Sequence, residues 1–146
     1  MALHAAPDPV TCWRSDELGG PAAVTVEIDL SHLVEQAVKL LASGRTVVDL
    51  TPDDLPLGPA ADALSQLNHD VMYGQGIRIV RGFPVSNLAV AELIFWRVGL
   101  EIGEPVSQSV MGDRLGHVID MTDLDPNARA YRRSEELSPH TDPGDV

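Results

Sequence analysis

The segment GIRIVRGFPVSNLAVAELIFWRVGLEI, residues 76–102, contains the two patterns that decide the fold. In 76–84, apolar and other residues alternate, which predicts a strand followed by a turn, with Ile77 and Ile79 on the apolar side. From about 89 to 102 the apolar residues recur with helical spacing and predict a helix. Its predicted core residues are Val90, Leu93, Ile94, Val98 and Ile102. The adjacent aromatic residues Phe95 and Trp96 are predicted to pack in the core with them.

The residues that precede this segment predict a further strand and a further helix. Residues 1–21 show little periodicity and predict an irregular N-terminal segment. Residues 22–30 are rich in β-branched side chains and predict a strand. Apolar residues with helical spacing follow, and they predict a helix with Ser31 as the N-cap and Gly44 as the residue that ends it.

Another helix is predicted between this one and the 76–84 strand. Residues 45–58 predict a loop with a short strand at most, and the helix is predicted to begin at Pro59 and to end at Gly74–Gly76. Its buried stripe is predicted to be Leu64, Leu67 and Val71. The pair His69-Asp70 lies opposite that stripe. Adjacent residues do not share a helix face, so this pair is predicted to be a solvated surface feature.

After residue 102 the chain predicts one more strand and then polar, turn-rich sequence. The segment LGHVIDM, residues 115–121, has the composition of a strand. The order of elements lacks the regular βαβ alternation of a doubly wound sheet, and no glycine-rich phosphate loop is present. The predicted class is therefore α+β.

Composition and charge limit the function. The 146 residues include 22 acidic and 10 basic side chains, for a net charge of −12. Such a chain repels polyanions, so neither nucleic acid nor an anionic membrane surface is an expected partner. It has no apolar run near the roughly 18 residues of a membrane span, and its first residues are not those of a signal peptide, so a cytoplasmic location is expected. The lone Cys12 allows no intrachain disulfide and no cysteine-based zinc cluster.

The stretch SPHTDPGDV, residues 138–146, places His140 two residues before Asp142. In an extended segment these side chains point to the same side and can meet one metal ion. Imidazole nitrogen with carboxylate oxygen suits Fe(II), Mn(II) or Zn(II), and the facial triad of two histidines and one carboxylate is the arrangement that leaves positions open. A tripeptide of this kind also arises often by chance, so the surrounding sequence must decide whether it is part of a metal site.

Three segments resemble, in the same order, the N-terminal half of the TauD/TfdA family of Fe(II)- and 2-oxoglutarate-dependent dioxygenases, in the clavaminate-synthase-like group. GIRIVRGFPV (76–85) resembles an early strand and turn of the family. IFWRVGLEIGEPVSQSVMGDRLGHVIDM (94–121) resembles the family's next helix, turn and strand. ARAYRRSEELSPHTDPGDV (128–146) resembles the stretch leading into the metal-binding HTD. The resemblance covers roughly residues 46–146.

This resemblance implies a fold, a metal and a reaction. The fold would be a partial double-stranded β-helix, or jelly-roll, with flanking N-terminal helices, and residues 22–146 would be the N-terminal part of that domain. His140 and Asp142 would be the first two iron ligands. The cofactors would be Fe(II) and, as co-substrate, 2-oxoglutarate, and the reaction would be oxidative hydroxylation of a small molecule. VSQS (106–109) and His117 match a pattern near the active-site mouth of one branch, without an assigned role.

The chain departs from the family after the HTD motif. The family's second histidine ligand and its oxoglutarate-binding arginine lie far downstream of this motif, and the sequence ends four residues after Asp142. The expectation is a chain truncated just after the HxD motif, without turnover on its own. Succinate formation from oxoglutarate by residues 1–146, above an iron-only blank, would contradict this. Missing later strands would leave sheet edges unpaired, so a C-terminal partner chain is a possible binding partner.

Two alternatives remain at the level of sequence. One is a non-catalytic half-domain that acts as a binding module or is completed by a second polypeptide. The other is a zinc or other divalent-metal protein that uses His140, Asp142 and a nearby histidine such as His117. The chain has no compact His/Cys spacing of the kind typical of structural zinc sites, which disfavours the second alternative.

Overall fold

A computed structural model of the chain describes residues 13–107, 112–117 and 119–124. The chain divides into two compact units, Met1–Val106 and Ser107–Val146. Every helix and strand among the described residues lies in the first unit. In chain order they are α1 (Pro21–Val24), β1 (Thr25–Glu27), α2 (Ser31–Ala42), α3 (Ala61–Tyr73), β2 (Ile79–Arg81) and α4 (Leu88–Ile102). Two single turns of 3₁₀ helix, Val47–Asp49 and Gly58–Ala60, lie between α2 and α3.

The two strands form a parallel pair in which Thr25 faces Ile79 and Glu27 faces Arg81. Parallel strands need a long crossover, and here the crossover contains α2 and α3. The ladder continues one residue beyond β1, because the Ile28 N–H donates to the Arg81 carbonyl at 3.2 Å. Within the described ranges the sheet has two strands. The jelly-roll therefore stays a prediction.

Both observed strands are shorter than the segments in which the sequence predicts them. Of 22–30, only Thr25–Glu27 is strand, because Pro21 starts a helical turn that is closed by a 2.7 Å hydrogen bond from Thr25 Oγ1 to the Pro21 carbonyl. Of 76–84, only Ile79–Arg81 is strand. Its predicted apolar side is wrong, since the Ile79 side chain is 42% exposed while Val80 is half-buried.

The ends of α2 correct one prediction and confirm another. Ser31 is the first residue of the helix and not its N-cap, and its own N–H donates to the carboxylate of Asp29 at 2.9 Å. At the other end Gly44 has φ = 79°, a conformation that glycine adopts without the strain of a Cβ atom. The Gly44 N–H donates to the carbonyl of Leu41 and the Arg45 N–H to that of Leu40, so these two carbonyls of the last turn are paired.

The core lies where α2, α3 and α4 meet. As predicted, α3 buries Leu64 and Leu67, although Val71 is only half-buried. The predicted core residues of α4 are buried except Ile102, which is 42% exposed. The largest fully buried side chains are Leu33, Leu55, Leu64, Leu93, Ile94 and Val90.

The two aromatic residues of α4 differ in burial. Trp96 is buried, and its Nε1–H donates to the carbonyl of Leu50 at 3.1 Å. Phe95 is 60% exposed, so its predicted core position is wrong. Arg97 is buried on the inner face instead, because its Nε–H donates to the Leu55 carbonyl at 2.7 Å and its Nη1–H to Glu101 at 2.6 Å. These bonds fasten the loop between α2 and α3 to α4.

The described part of 115–121 forms no strand, so that prediction is wrong for 115–117 and 119–121. A strand is stabilised by pairing with a neighbouring strand, and none of the described residues supplies one there. Among the helices of the described ranges, none has both the length and the apolar character to cross a membrane.

Candidate functional site

The residues that the sequence singles out for metal binding, His140 and Asp142, lie outside the described residues, as does Cys12. His117 is described; it is exposed and lies in no helix or strand. No group of three or more His, Cys, Asp or Glu side chains in the described ranges is arranged to hold a metal ion. The iron site and the zinc alternative therefore both stay predictions.

An open apolar groove lies between α3, β2 and α4, and we call it the α3–α4 groove. Its volume is about 360 Å³, within the range of small-molecule sites but at its low end. Its walls come from three elements: Leu67 and Val71 of α3, Val80 and Phe83 in and after β2, and Phe95 and Ile102 of α4. The one charged residue that lines it is Arg78.

The guanidinium of Arg78 is already bound within the protein. Its Nε and Nη2 atoms each lie 2.9 Å from Oδ2 of Asp70. Its Nη1–H donates to the Ile77 carbonyl at 2.9 Å and to Gln75 Oε1 at 3.3 Å. The side chains of Arg78 and Asp70 are only 17% and 22% exposed. The pair is therefore a neutral wall of the groove and not a free cation that could hold an anionic ligand.

Asp70 corrects the interpretation of His69-Asp70 as a solvated pair. His69 is exposed as predicted, but Asp70 is half-buried and accepts hydrogen bonds on both oxygens. The amide of Gln66, at 2.7 Å, is the largest influence that lowers the pKa of Asp70, and the hydrogen bond and charge of Arg78 add to it. Sequence periodicity missed this pair because the turn after α3 returns the chain so that position 78 meets position 70.

Asp70→Asn is expected to lower the thermal midpoint at pH 7, since it removes the charge that Arg78 is paired with. The folded-state pKa of Asp70 is lowered from its usual value of 3.8, so its contribution is present above about pH 4 and is lost as pH falls through the folded-state pKa. The midpoint difference between wild type and Asp70→Asn should therefore shrink in melts at pH 3. Asp53→Asn, at an exposed position, is the matched control. An equal difference at pH 3 and pH 7 would contradict this account.

A second cavity, of about 650 Å³, opens at the carboxyl ends of β1 and β2. Carboxylates of Glu27, Asp29 and Glu35 line it, with no basic side chain among its walls. Hydrogen bonds from the side chain and backbone of Ser31 lower the pKa of Asp29, which keeps that group ionised. The cavity is therefore unsuited to an anion such as a dicarboxylate.

The chain is similar to FR-33289 synthase of Streptomyces rubellomurinus, with 31% identity over 142 residues. The match covers 92% of this chain and 42% of the synthase, so the chain spans less than half the length of that relative. It also extends beyond the 46–146 region on which the family resemblance depends. No family model matches the chain. The chain is thus a distant relative of an enzyme that its name describes as a synthase.

Proposed function

We propose that the chain is part of a non-haem Fe(II)- and 2-oxoglutarate-dependent dioxygenase that hydroxylates a small molecule. The observation that carries this proposal is the similarity to FR-33289 synthase over 92% of the chain. A His-x-Asp tripeptide can arise by chance, but a chance tripeptide does not produce similarity over 92% of a chain. It accompanies three segments that resemble the TauD/TfdA family in the family's order.

In this proposal His140 and Asp142 hold the iron. One imidazole nitrogen and one carboxylate oxygen fit Fe(II), and they are two of the three protein ligands of a facial triad. The third ligand would come from polypeptide outside the matched 42% of the relative's length. When bound, the iron would supply the oxygen-dependent redox chemistry, and the imidazole of His140 and the carboxylate of Asp142 would hold it.

Neither the acidic cavity nor the α3–α4 groove is suited to oxoglutarate. The carboxylates of oxoglutarate need a cationic partner. The acidic cavity repels them, and the guanidinium of Arg78 at the α3–α4 groove is neutralised by Asp70. We therefore assign α2, α3 and α4 a supporting role, in which they form the core and α4 holds the loop between α2 and α3.

The test of the metal site is Co(II) binding, with Co(II) as a spectroscopic substitute for Fe(II). Dialysis and visible absorption are measured on a chimera in which this chain replaces the matched 42% of FR-33289 synthase, so that the third ligand is present, and on its His140→Ala and Asp142→Ala variants, with exposed His69→Ala as the control. Loss of even a supporting residue weakens metal sites about 10–100-fold, so loss of a ligand should weaken binding at least about tenfold. His69→Ala should bind as the wild type does. Equal binding by all four proteins would contradict the proposal.

The α3–α4 groove favours a second candidate function, a module completed by another stretch of polypeptide. Its apolar walls are partly open, with Phe95 60% and Ile102 42% exposed. Open apolar patches on a folded unit mark interaction surfaces more often than isolated exposed side chains do. This candidate and the enzyme are compatible if the completing polypeptide brings the missing iron ligand.

A further inference from the structure

The chain that precedes α1 is fastened to a distant part of the first unit by the side chain of Trp13. We call residues 13–20 the N-terminal strap. The indole N–H of Trp13 donates to the carbonyl oxygen of Gln75 at 2.7 Å, across 62 positions of the sequence. Among the hydrogen bonds of the described residues, this is the one that joins the strap to a distant element.

The rest of the strap is mostly exposed, with only Leu18 and Gly20 half-buried. Its internal turn is closed within the strap, because the N–H of Arg14 donates to the Glu17 carboxylate and the N–H of Glu17 to the Arg14 carbonyl. The strap ends in Gly19 and Gly20, with φ = 73° and 83°, and two successive glycines permit the backbone rotation of a hinge. A segment so exposed is expected to open before the core does.

Gln75 connects the strap to the charged wall of the α3–α4 groove. Its carbonyl oxygen accepts the hydrogen bond from Trp13, and its side-chain Oε1 accepts one from Nη1 of Arg78 at 3.3 Å. Arg78 is the charged residue that lines the groove, and its guanidinium is bound to Asp70. A path of hydrogen bonds thus runs from the strap, through residue 75, to the ion pair at the groove.

We propose that the N-terminal strap is a conformational latch that controls the mobility of Arg78 at the groove. With the strap closed, Trp13 fixes the backbone of Gln75, whose side chain completes the hydrogen bonding of the guanidinium. With the strap open, Gln75 turns away and Arg78 keeps its bonds to Asp70 and Ile77. One hydrogen bond changes an equilibrium by roughly 2- to 12-fold, so its loss should raise the population of the open strap by that factor.

The test compares the 146-residue chain with its Trp13→Phe variant, which keeps an aromatic ring but removes the indole N–H. Tyr73→Phe is the matched control, because it removes a polar group from an aromatic ring two residues from Gln75, at a position that is 76% exposed. Trypsin cleavage after Arg14 under native conditions measures opening of the strap. Hydrogen exchange of the Arg78 Nε–H, followed by NMR, measures the mobility of the guanidinium. Neither measurement depends on the iron site.

Trp13→Phe should speed both the cleavage after Arg14 and the exchange of the Arg78 Nε–H at least about threefold. Its melting midpoint should stay within about 2 °C of the wild type, because the strap opens without the core. Tyr73→Phe should leave both rates and the midpoint unchanged. Unchanged cleavage in Trp13→Phe would overturn the latch, and a lower midpoint would show that the bond acts on the whole fold instead. Faster cleavage with unchanged exchange would also overturn the proposal, since a merely structural strap gives that result.

Discussion

Gly82→Ala is expected to lower the free energy of unfolding by about 2–6 kcal/mol, the sum of backbone strain and overpacking. Gly82 has φ = 101°, which side chains with a Cβ atom rarely adopt. A Cβ atom there would lie far inside van der Waals contact with the carbonyl oxygen of Ile28. Backbone cannot move aside as a flexible side chain does, so the substitution must push the chain after β2 away from the chain after β1. The hydrogen bond from Ile28 to Arg81, which closes the ladder, should be lost.

Urea unfolding of Gly82→Ala and Gly99→Ala tests this expectation with a matched pair. Gly99 lies inside α4 with open space where its Cβ would stand. Alanine there should stabilise the protein by about 0.5–1 kcal/mol, because it removes the entropy that a helical glycine loses on folding. If Gly82→Ala were as stable as the wild type, that result would contradict the close approach of Gly82 to the carbonyl of Ile28.

Ile94→Ala is expected to cost about 2–5 kcal/mol in the free energy of unfolding. Ile94 is fully buried on α4, where it packs in the core between the helices. The substitution removes apolar atoms from that core and leaves a cavity that close-packed neighbours fill only in part. Ile94→Val, which removes a single methylene, should cost about 0.5–1.5 kcal/mol.

Phe95→Ala is the control for Ile94, since it removes a larger side chain from the next position of the same helix. Phe95 is 60% exposed, so its loss should change the free energy of unfolding of the isolated chain by no more than about 0.5 kcal/mol. Denaturant curves of the three variants give the comparison. A larger effect at Phe95 than at Ile94 would mean that α4 turns its other face to the core.

Local sequence patterns predicted the helices well, but they predicted poorly which helix residues contact the rest of the protein. The spacing of Leu64 and Leu67 identified the buried side of α3, and that of Leu93 and Ile94 identified the buried side of α4, because a helix buries one continuous stripe. The prediction that Phe95 lies in the core was wrong, since it is exposed. By hydrophobicity alone Phe95 and Trp96 are both expected in the core. Trp96, however, has a ring N–H that donates to the carbonyl of Leu50 in the loop packed on α4, and the ring of Phe95 has no such donor.

The strands were predicted less well because their limits depend on pairing. The patterns in 22–30 and 76–84 extend beyond the three residues that each strand retains. The parallel register and the close approach at Gly82 are set by the crossover through α2 and α3. The inward side of β2 also depends on Arg78, which the ion pair with Asp70 holds at the groove beside Val80.

The sequence by itself determined the approximate positions of α2, α3 and α4, the end of α2 at Gly44 and the choice of His140 and Asp142 as candidate iron ligands. Each of these depends on residues close together in the chain: a periodic stripe, a glycine able to adopt positive φ, or two ligands two residues apart. Only the tertiary structure decided which strands pair, that Asp70 is bound to Arg78, and that an apolar groove lies between α3, β2 and α4. These features depend on contacts between residues far apart in the chain, which no local pattern encodes.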